Sequence, residues 1–390
     1  MRVLFAAGGS AGHINPALAV ADKVKEVFSD CEILFVGTAK GLEAKLVTRA
    51  GYGFAAIKAS GFQRKLTPRN VGRNVKAVYH YFAAGGECRQ IIQAFKPDIV
   101  VGTGGYVTAP VLTAAVKLRI PTVTHESNSL PGITTKLLAK SVDRVFLSSS
   151  DTLKYFSDTS NCIVTGNPLK KGFCDNGAKS IDRAAAVKEL GLDGTMTILS
   201  FGGSLGSNAV NKAVAELIKW EREQGNINHI HSYGGNGKQL FNQLLAENGI
   251  VPDKRKNIIC EYLYNMYICL AAADLVICRA GSMSQTELKA FGRASIQIPW
   301  SGAAENHQYY NALTMKEAGA AILVEDSEIS GEKLIQIVSG LCKNKLKIRL
   351  MEENAAKMSA PGSAGVIVSE MLSLLQQKAD TTKTSKSKNI

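Results

Sequence analysis

Two short apolar runs in this chain end in nearly the same loop. Phe5-Ala6-Ala7-Gly8-Gly9-Ser10-Ala11-Gly12 aligns with Leu199-Ser200-Phe201-Gly202-Gly203-Ser204-Leu205-Gly206. Each reads as a strand, a glycine loop and a helix start. A loop of this kind lets backbone amides approach an oxyanion, and the helix N-terminus adds partial positive charge. Neither loop is a strict GxGxxG or a Walker A, so each alone fits a tight turn as well. As a pair they constrain the chain far more. They open two halves of similar size, and 390 residues accommodate two or three domains.

The rest of the chain keeps the same alternation. Strands are expected at Val3–Ala7, Ile33–Val36, Ile99–Val101, Thr122–Thr124, Arg144–Leu147 and Cys162–Thr165. In the second half they are expected at Thr197–Phe201, His229–Tyr233, Ile258–Cys260, Leu275–Cys278, Ser295–Ile298 and Ala321–Val324. Helical stretches separate them, which predicts an α/β fold with parallel sheets covered by helices. The boundary is expected near Gly166-Asn167-Pro168, giving domains 1–165 and 166–360. A helix over 362–376 follows Pro361-Gly362 and joins the first domain. The Lys/Ser/Thr-rich tail 377–390 reads as disordered.

Residues Ile99 to Val116 carry no charge and are long enough to span a bilayer. Three glycines and a proline inside them favour strand, loop and helix instead. The opening Met1-Arg2-Val3-Leu4 runs directly into a strand, so no signal peptide is expected. The eight cysteines include no CxxC pair, which reads as reduced thiols of a cytosolic protein and not as a zinc site. The net charge of +13 falls mostly in residues 1–165 and favours an anionic partner. No zinc-finger spacing or aromatic-rich basic motif points to nucleic acid, and no carboxylate cage calls for a metal or other cofactor.

Several polar groups sit where α/β sheets bind ligands, at strand C-terminal ends. Gly102-Thr103-Gly104-Gly105-Tyr106 forms a third glycine loop. His13 closes the first loop, where a helix start suits a general base or a simple packing role. His125-Glu126-Ser127-Asn128 either meets a ligand or ties its loop down. Ser282, Met283, Ser284, Gln285 and Thr286 would start a helix with free amides suited to a diphosphate. Glu287 could accept both hydroxyls of a ribose, or only compensate the helix dipole. Gln308 offers both a donor and an acceptor to sugar hydroxyls. Between Arg64 and Phe82 the apolar residues Val71, Val75, Val78, Tyr79 and Phe82 recur at helical spacing among Arg64, Lys65, Arg69, Arg73 and Lys76. That pattern fits either a core-packed helix or one lying on anionic membrane, with Lys136 and Lys140 extending the patch.

These motifs together resemble the membrane-associated N-acetylglucosaminyltransferases that convert lipid I to lipid II in peptidoglycan synthesis, the MurG family. The resemblance covers residues 1 to about 376. It rests on Gly8-Gly9-Ser10-Ala11-Gly12-His13, Gly104-Gly105-Tyr106-Val107, His125-Glu126-Ser127-Asn128, Gly166-Asn167-Pro168, Gly202-Gly203-Ser204, Arg279-Ala280-Gly281 through Glu287, and His307-Gln308 ahead of Asn311-Ala312. It implies a GT-B fold of two Rossmann-like domains facing across a cleft. It implies an inverting transfer of GlcNAc from UDP-GlcNAc to a polyprenyl-diphosphate-linked acceptor, at the cytoplasmic face of the plasma membrane. The implied roles are His13 as catalytic base, Leu263 at the uracil and Glu287 at the ribose. Ser204, the 282–286 loop and Lys170 would hold the diphosphate, and Gln308 would read the sugar. Ser10, Ala11, Gly12 and Asn128 would line the donor from the first domain. Partners among other cell-wall synthesis proteins, and ties to cell shape and division, follow from the same resemblance.

Four departures from the family pattern bear on local structure. Ser10-Ala11 stand where Thr-Gly is usual, Ala109 where glycine is common, Ser127 where Gln is usual, and Lys170 where Arg is usual. An alanine at a position of positive φ would be strained, and lysine lacks arginine's bidentate fork. The alternatives on the same fold are a UDP-GlcNAc epimerase and a glycolipid glycosyltransferase. A non-catalytic membrane scaffold is the alternative of another class.

Overall fold

The structure, a computed structural model, describes residues 1–59, 84–170, 181–303 and 306–387. The chain divides into two compact units. Unit 1 is Met1–Lys171 with Gly362–Ile390, and unit 2 is Gly172–Pro361.

Unit 1 holds a seven-stranded, fully parallel sheet in the order β3-β2-β1-β4-β5-β6-β7. Its strands are β1 Arg2–Ala6, β2 Glu32–Gly37, β3 Gly53–Ala56, β4 Ile99–Gly102, β5 Thr122–Glu126, β6 Arg144–Leu147 and β7 Cys162–Val164. The helices are α1 Ala11–Val27, α2 Leu42–Arg49, α3 within 84–95, α4 Thr108–Lys117 and α5 Ile133–Leu138. The central strands bury both faces; Leu4, Val100, Val145 and Leu147 are in the core with Val111 and Leu112 of α4. The uncharged run 99–116 is therefore strand, loop and helix. Among the described residues no helix is long and apolar enough to cross a membrane.

Unit 2 repeats the plan with six parallel strands in the order β10-β9-β8-β11-β12-β13. They are β8 Met196–Phe201, β9 Ile227–Ser232, β10 Asn257–Cys260, β11 Leu275–Cys278, β12 Ser295–Gln297 and β13 Ala321–Leu323. The helices are α6 Arg183–Glu189, α7 Asn208–Gln224, α8 Lys238–Glu247, α9 Met266–Ala272, α10 Ser282–Phe291, α11 His307–Glu317, α12 Gly331–Cys342 and α13 Lys345–Lys357. Helix α7 shows why these segments are helical. Val210, Val214, Leu217, Ile218 and Glu221 recur at three- and four-residue spacing and are buried, and Gly225 ends the helix in the left-handed region. The stripe packs on Ile198 and Ile277 of the sheet and on Leu334, Val338 and Leu341 of α12. Burying one such Leu or Ile fully is worth about 1.5–3 kcal/mol.

The last helix, α14, spans Ser363–Ser387 and belongs to unit 1. Composition favours a disordered tail from 377, yet the helix continues past that point. No Gly or Pro interrupts 363–387 after Gly365. Gln377 accepts from Arg144 at 3.1 Å, and Lys378 pairs with Asp143 at 2.7 Å. Strand β3 was not expected from sequence. Its residues Gly-Phe-Ala-Ala form an edge with no apolar alternation, and only the pairing with β2 makes it a strand.

Candidate functional site

In each unit the chain reverses direction along the sheet beside its first strand. Strand β1 lies between β2 and β4, and β8 lies between β9 and β11. Loops leaving the C-terminal ends of β1 and β4, or of β8 and β11, therefore diverge to opposite faces and open a crevice between them. Such switch points are where open α/β sheets bind ligands. Ser10–His13 of unit 1, and Ser204 and Ser282–Glu287 of unit 2, lie at these two points, whereas Asn128 follows β5, Lys170 β7, Leu263 β10 and Gln308 β12.

In unit 1 the first loop ends at Ser10, the N-cap of α1, whose side chain makes no capping bond. The one positive φ within Gly8–Gly12 falls on Gly9, at 89°. Ala11 is the first helical residue, so the alanine that replaces the usual glycine carries no backbone strain. The Gly9 N–H donates to Glu43 Oε2 at 3.3 Å, while Thr38 donates its N–H (3.0 Å) and hydroxyl (2.6 Å) to Glu43 Oε1. Glu43 is fully buried at the start of α2. Sequence reasoning missed it; the surrounding Gly37 and Gly41, where a Cβ would strike its side chain, are the cue.

His13 sits in the first turn of α1, partly exposed, with Nδ1 3.2 Å from the Gly8 carbonyl. A neutral ring donating from Nδ1 to that carbonyl leaves Nε2 with its lone pair. The third glycine loop encloses the ring. Gly104 has a φ of 108°, and a Cβ there would lie 2.6 Å from His13 Cδ2. Gly105, at φ 83°, rests on the Gly8 backbone. Thr103 Oγ1 donates to the His13 carbonyl at 2.7 Å. Pro16 lies inside α1 and has no N–H for the Gly12 carbonyl. Ser127 Oγ lies 3.5 Å from that carbonyl.

The His125–Asn128 segment is bound within unit 1. His125 is buried, with Nε2 3.1 Å from the Gly166 carbonyl, and burial lowers its pKa to about 4. The ring is thus neutral and donates from Nε2. Glu126 accepts at Oε1 from the Asn128 N–H and side-chain amide, both at 3.0 Å. At Oε2 it accepts from the Gly132 N–H (2.9 Å) and Thr135 hydroxyl (2.6 Å). Of the two roles open from sequence, these bonds belong to tying the loop down. Lys170 lies partly exposed at the end of unit 1. Arg64, Lys65, Arg69, Arg73, Val75, Lys76, Tyr79 and Phe82 lie outside the described residues, as do Ala304 and Glu305.

Unit 2 builds its crevice differently. Gly203 and Gly206 have positive φ, and the loop docks on the β9 loop. The Gly235 N–H donates to the Ser204 carbonyl (3.1 Å) and the Asn236 N–H to the Leu205 carbonyl (3.2 Å). Helix α7 starts only at Asn208, and its N-cap Ser207 accepts from the Val210 N–H. Of the two helices that leave β8 and β11, the one without a side-chain cap is α10. Its N-cap is Gly281, without a side chain, and Ser282, Met283 and Ser284 form its first turn. Gln285 is already in the helical ladder, and its side chain donates to Gln297 in the core at 2.6 Å. Glu287 is buried one turn on, near Cys278, whose thiol burial pushes up to about 12 with Glu287 adding to the shift. Leu263 is buried in the loop between β10 and α9. Gln308, near the start of α11, accepts from the Trp300 N–H at 3.0 Å.

Two residues with no role expected from sequence join these loops. Arg279, 8% exposed, follows β11 and donates to Ser207 Oγ (2.7 Å), the Ile298 carbonyl (3.1 Å) and Asp326 Oδ1 (2.6 Å). Asp326 Oδ2 accepts the Ser301 N–H (3.1 Å) and hydroxyl (2.8 Å). Burial alone would raise the Asp326 pKa, but the Ser301 and Arg279 bonds outweigh it and hold the carboxyl below its usual range.

The glycosyltransferase family 28 N-terminal domain matches residues 3–147, and the family's C-terminal domain matches residues 197–366. With two parallel Rossmann-like sheets, the protein is a glycosyltransferase of the GT-B type. A relative from Desulforamulus reducens is named UDP-N-acetylglucosamine–N-acetylmuramyl-(pentapeptide) pyrophosphoryl-undecaprenol N-acetylglucosamine transferase. It is 40% identical, over 94% of this chain and 97% of its own. The chain belongs to the family of that transferase. Among solved structures, Acinetobacter baumannii MurG is similar at 25% identity and a TM-score of 0.66, covering 95% of this chain and 99% of that one. A UDP-GlcNAc 2-epimerase from Neisseria meningitidis shares the fold at 13% identity and a TM-score of 0.60, covering 95% of this chain and 99% of that one.

Proposed function

We propose that this protein transfers GlcNAc from UDP-GlcNAc to the C4 hydroxyl of MurNAc-pentapeptide carried on undecaprenyl diphosphate, with inversion. The observation that carries the reading is the 40% identity along nearly the whole chain to a transferase of that name. Two uncapped helix N-termini at the switch points support it, because the reaction needs anion-stabilising amides on a diphosphate.

The donor belongs to unit 2 in this reading. The first-turn amides of α10 and the Ser204 loop hold the diphosphate, and Lys170 adds charge. Glu287 accepts the ribose hydroxyls, Leu263 meets the uracil through its backbone, and Gln308 reads the sugar. Unit 1 serves the acceptor, and its Ser10, Ala11, Gly12 and Asn128 add contacts to the UDP-GlcNAc donor. His13 Nε2 takes the proton of the C4 hydroxyl as that oxygen bonds to the anomeric carbon. The bond from the anomeric carbon to the phosphate oxygen breaks, and UDP leaves with the electron pair. Transfer from UDP-GlcNAc to a lipid-linked MurNAc-pentapeptide analogue tests the reading. The expected products are the disaccharide lipid and UDP; an epimerised sugar nucleotide, or no transfer, overturns it.

In this reading the enzyme works at an anionic membrane surface, on its cytoplasmic side, in service of wall growth, cell shape and division, and the acceptor's lipid chain supports the membrane contact. Unit 1 offers apolar surface among cations in support. Ile133 and Leu137 of α5 are 75% and 71% exposed, on the segment that carries Lys136 and Lys140, and Lys136 shares the Tyr155 ring with Lys154. Exposed apolar side chains ringed by basic residues suit an interfacial contact. Co-flotation with anionic vesicles, weakened by Ile133→Gln with Leu137→Gln, is the expected result; unchanged flotation removes this contact from the proposal.

A further inference from the structure

Arg279 and Asp326 bond to loops on several strands of unit 2. The guanidinium touches the N-cap of α7, which closes the β8 loop, and a carbonyl after β12. Its carboxylate partner lies just after β13 and holds Ser301. Ser301 adjoins Trp300, whose N–H is held by Gln308. The loops after four of the six parallel strands are thus tied through one ion pair: those after β8, β11, β12 and β13. The pair is largely withdrawn from solvent, with side-chain exposures of 10% and 15%.

We propose that Arg279 and Asp326 are positioning residues for the donor: a strut that sets the diphosphate loop at Ser204–Ser207 against the sugar-reading Gln308. This rests on the donor-site reading above. Three observations carry it. Arg279 donates to protein acceptors on three separate loops. The geometry needs a planar fork, since Nη1 serves Ile298 and Asp326 while Nη2 serves Ser207, and lysine has no such fork. The Asp326 carboxylate is divided in the same way, one oxygen for Arg279 and the other for Ser301. A group spaced by such a strut would change donor binding without contacting the donor.

The test uses the full-length enzyme, with KM for UDP-GlcNAc and kcat measured for Arg279→Lys, Asp326→Asn and the double variant. Each single change is expected to raise KM about 10-fold, the equivalent of one lost charge-assisted bond, with a smaller change in kcat. The double variant is expected to stay within about 2-fold of the worse single, because the two residues act as one unit. Ser301→Ala trims one bond from an exposed loop residue and leaves folding intact; it is expected to raise KM about 3-fold. An Arg279→Lys enzyme with wild-type KM would show that charge alone suffices, and multiplied effects in the double variant would show two independent contacts. Either result overturns the strut. Gln308→Ala separates the two levels. If it raises KM while the Arg279, Asp326 and Ser301 variants do not, the strut fails and the donor site stands. If it leaves KM unchanged while the strut variants raise it, the donor-site reading of Gln308 fails.

Discussion

The loops Gly8–Gly12 and Gly202–Gly206 are near copies in sequence, but they are built into their units in opposite ways. The unit 1 loop runs directly into an uncapped helix, and a buried carboxylate, Glu43, takes the Gly9 amide. The unit 2 loop is separated from its helix by Ser207, which caps it, and is held through its carbonyls by the β9 loop. At this switch point the helix without a side-chain cap is α10, which leaves β11. A repeated motif has therefore kept its fold role while its chemical opportunity moved to a different strand. The first loop presents a helix start with a histidine on it, and the second presents a floor beside another helix start.

The largest test of that contrast is His13→Ala. If the unit 1 loop exists to carry a base, kcat for GlcNAc transfer falls by about 10²-fold or more, with KM for UDP-GlcNAc nearly unchanged and the thermal unfolding profile intact. Near-full turnover would make His13 a packing residue and the two loops equivalent after all. The acid response is next in size. His125 titrates near 4 in the folded state against 6.5 for the free side chain. Its folded pKa is depressed, so the unfolded chain binds the proton first as pH falls. The stability it carries is complete above pH 6.5 and is lost between about 6.5 and 4, to the extent of about 3 kcal/mol. His125→Asn should flatten the fall in Tm across that window. Unit 2 has buried histidines of its own, and burial depresses the pKa of His231. The flattening should therefore be partial, and a complete one would mean that unit 1 alone sets acid stability. Gln308→Ala comes third, raising KM for UDP-GlcNAc about 10-fold with little change in kcat. A rise in acceptor KM instead would reverse the assignment of donor and acceptor to the two units.

The fold was legible because parallel strands buried on both faces read as plain apolar runs, as Ile99–Gly102 and Leu275–Cys278 do. Strand β3 was not legible, since its pairing partner and not its own residues makes it a strand. Strand β9 shows a different limit. Its polar His229 is fully buried because Glu221 of α7 and Ser200 of β8 satisfy both ring nitrogens, at 2.8 and 2.6 Å. Those partners lie 8 and 29 residues away, beyond any local pattern. The site was legible in the same measure. Glycine loops and strand-end polar residues announce themselves, as at His13 and Ser282. Arg279 and Asp326 act through partners 19 to 72 residues away, so their types alone carry no signal. The Ser10-Ala11 departure looked hazardous only while the position of positive φ was unknown; the structure puts that φ on Gly9.

The smallest effect isolates the caps themselves. Ser10 and Ser207 are both serines at the N-cap of the helix that follows a glycine loop, so sequence gives no reason to treat them apart. Ser207 Oγ accepts from the Val210 N–H and also from Arg279, whereas Ser10 Oγ makes no capping bond. Ser207→Ala should cost about 1 kcal/mol of stability, a Tm decrease of about 2–4 °C for a unit of this size. Ser10→Ala should leave Tm within error, because it removes no bond from the folded state. Thermal unfolding of the two variants beside the parent chain reads both. Equal losses would mean that Ser10 caps α1 in solution, closing the helix end on which the acceptor-side reading depends. A loss at Ser207 alone keeps α1 open, with its first amides available beside His13.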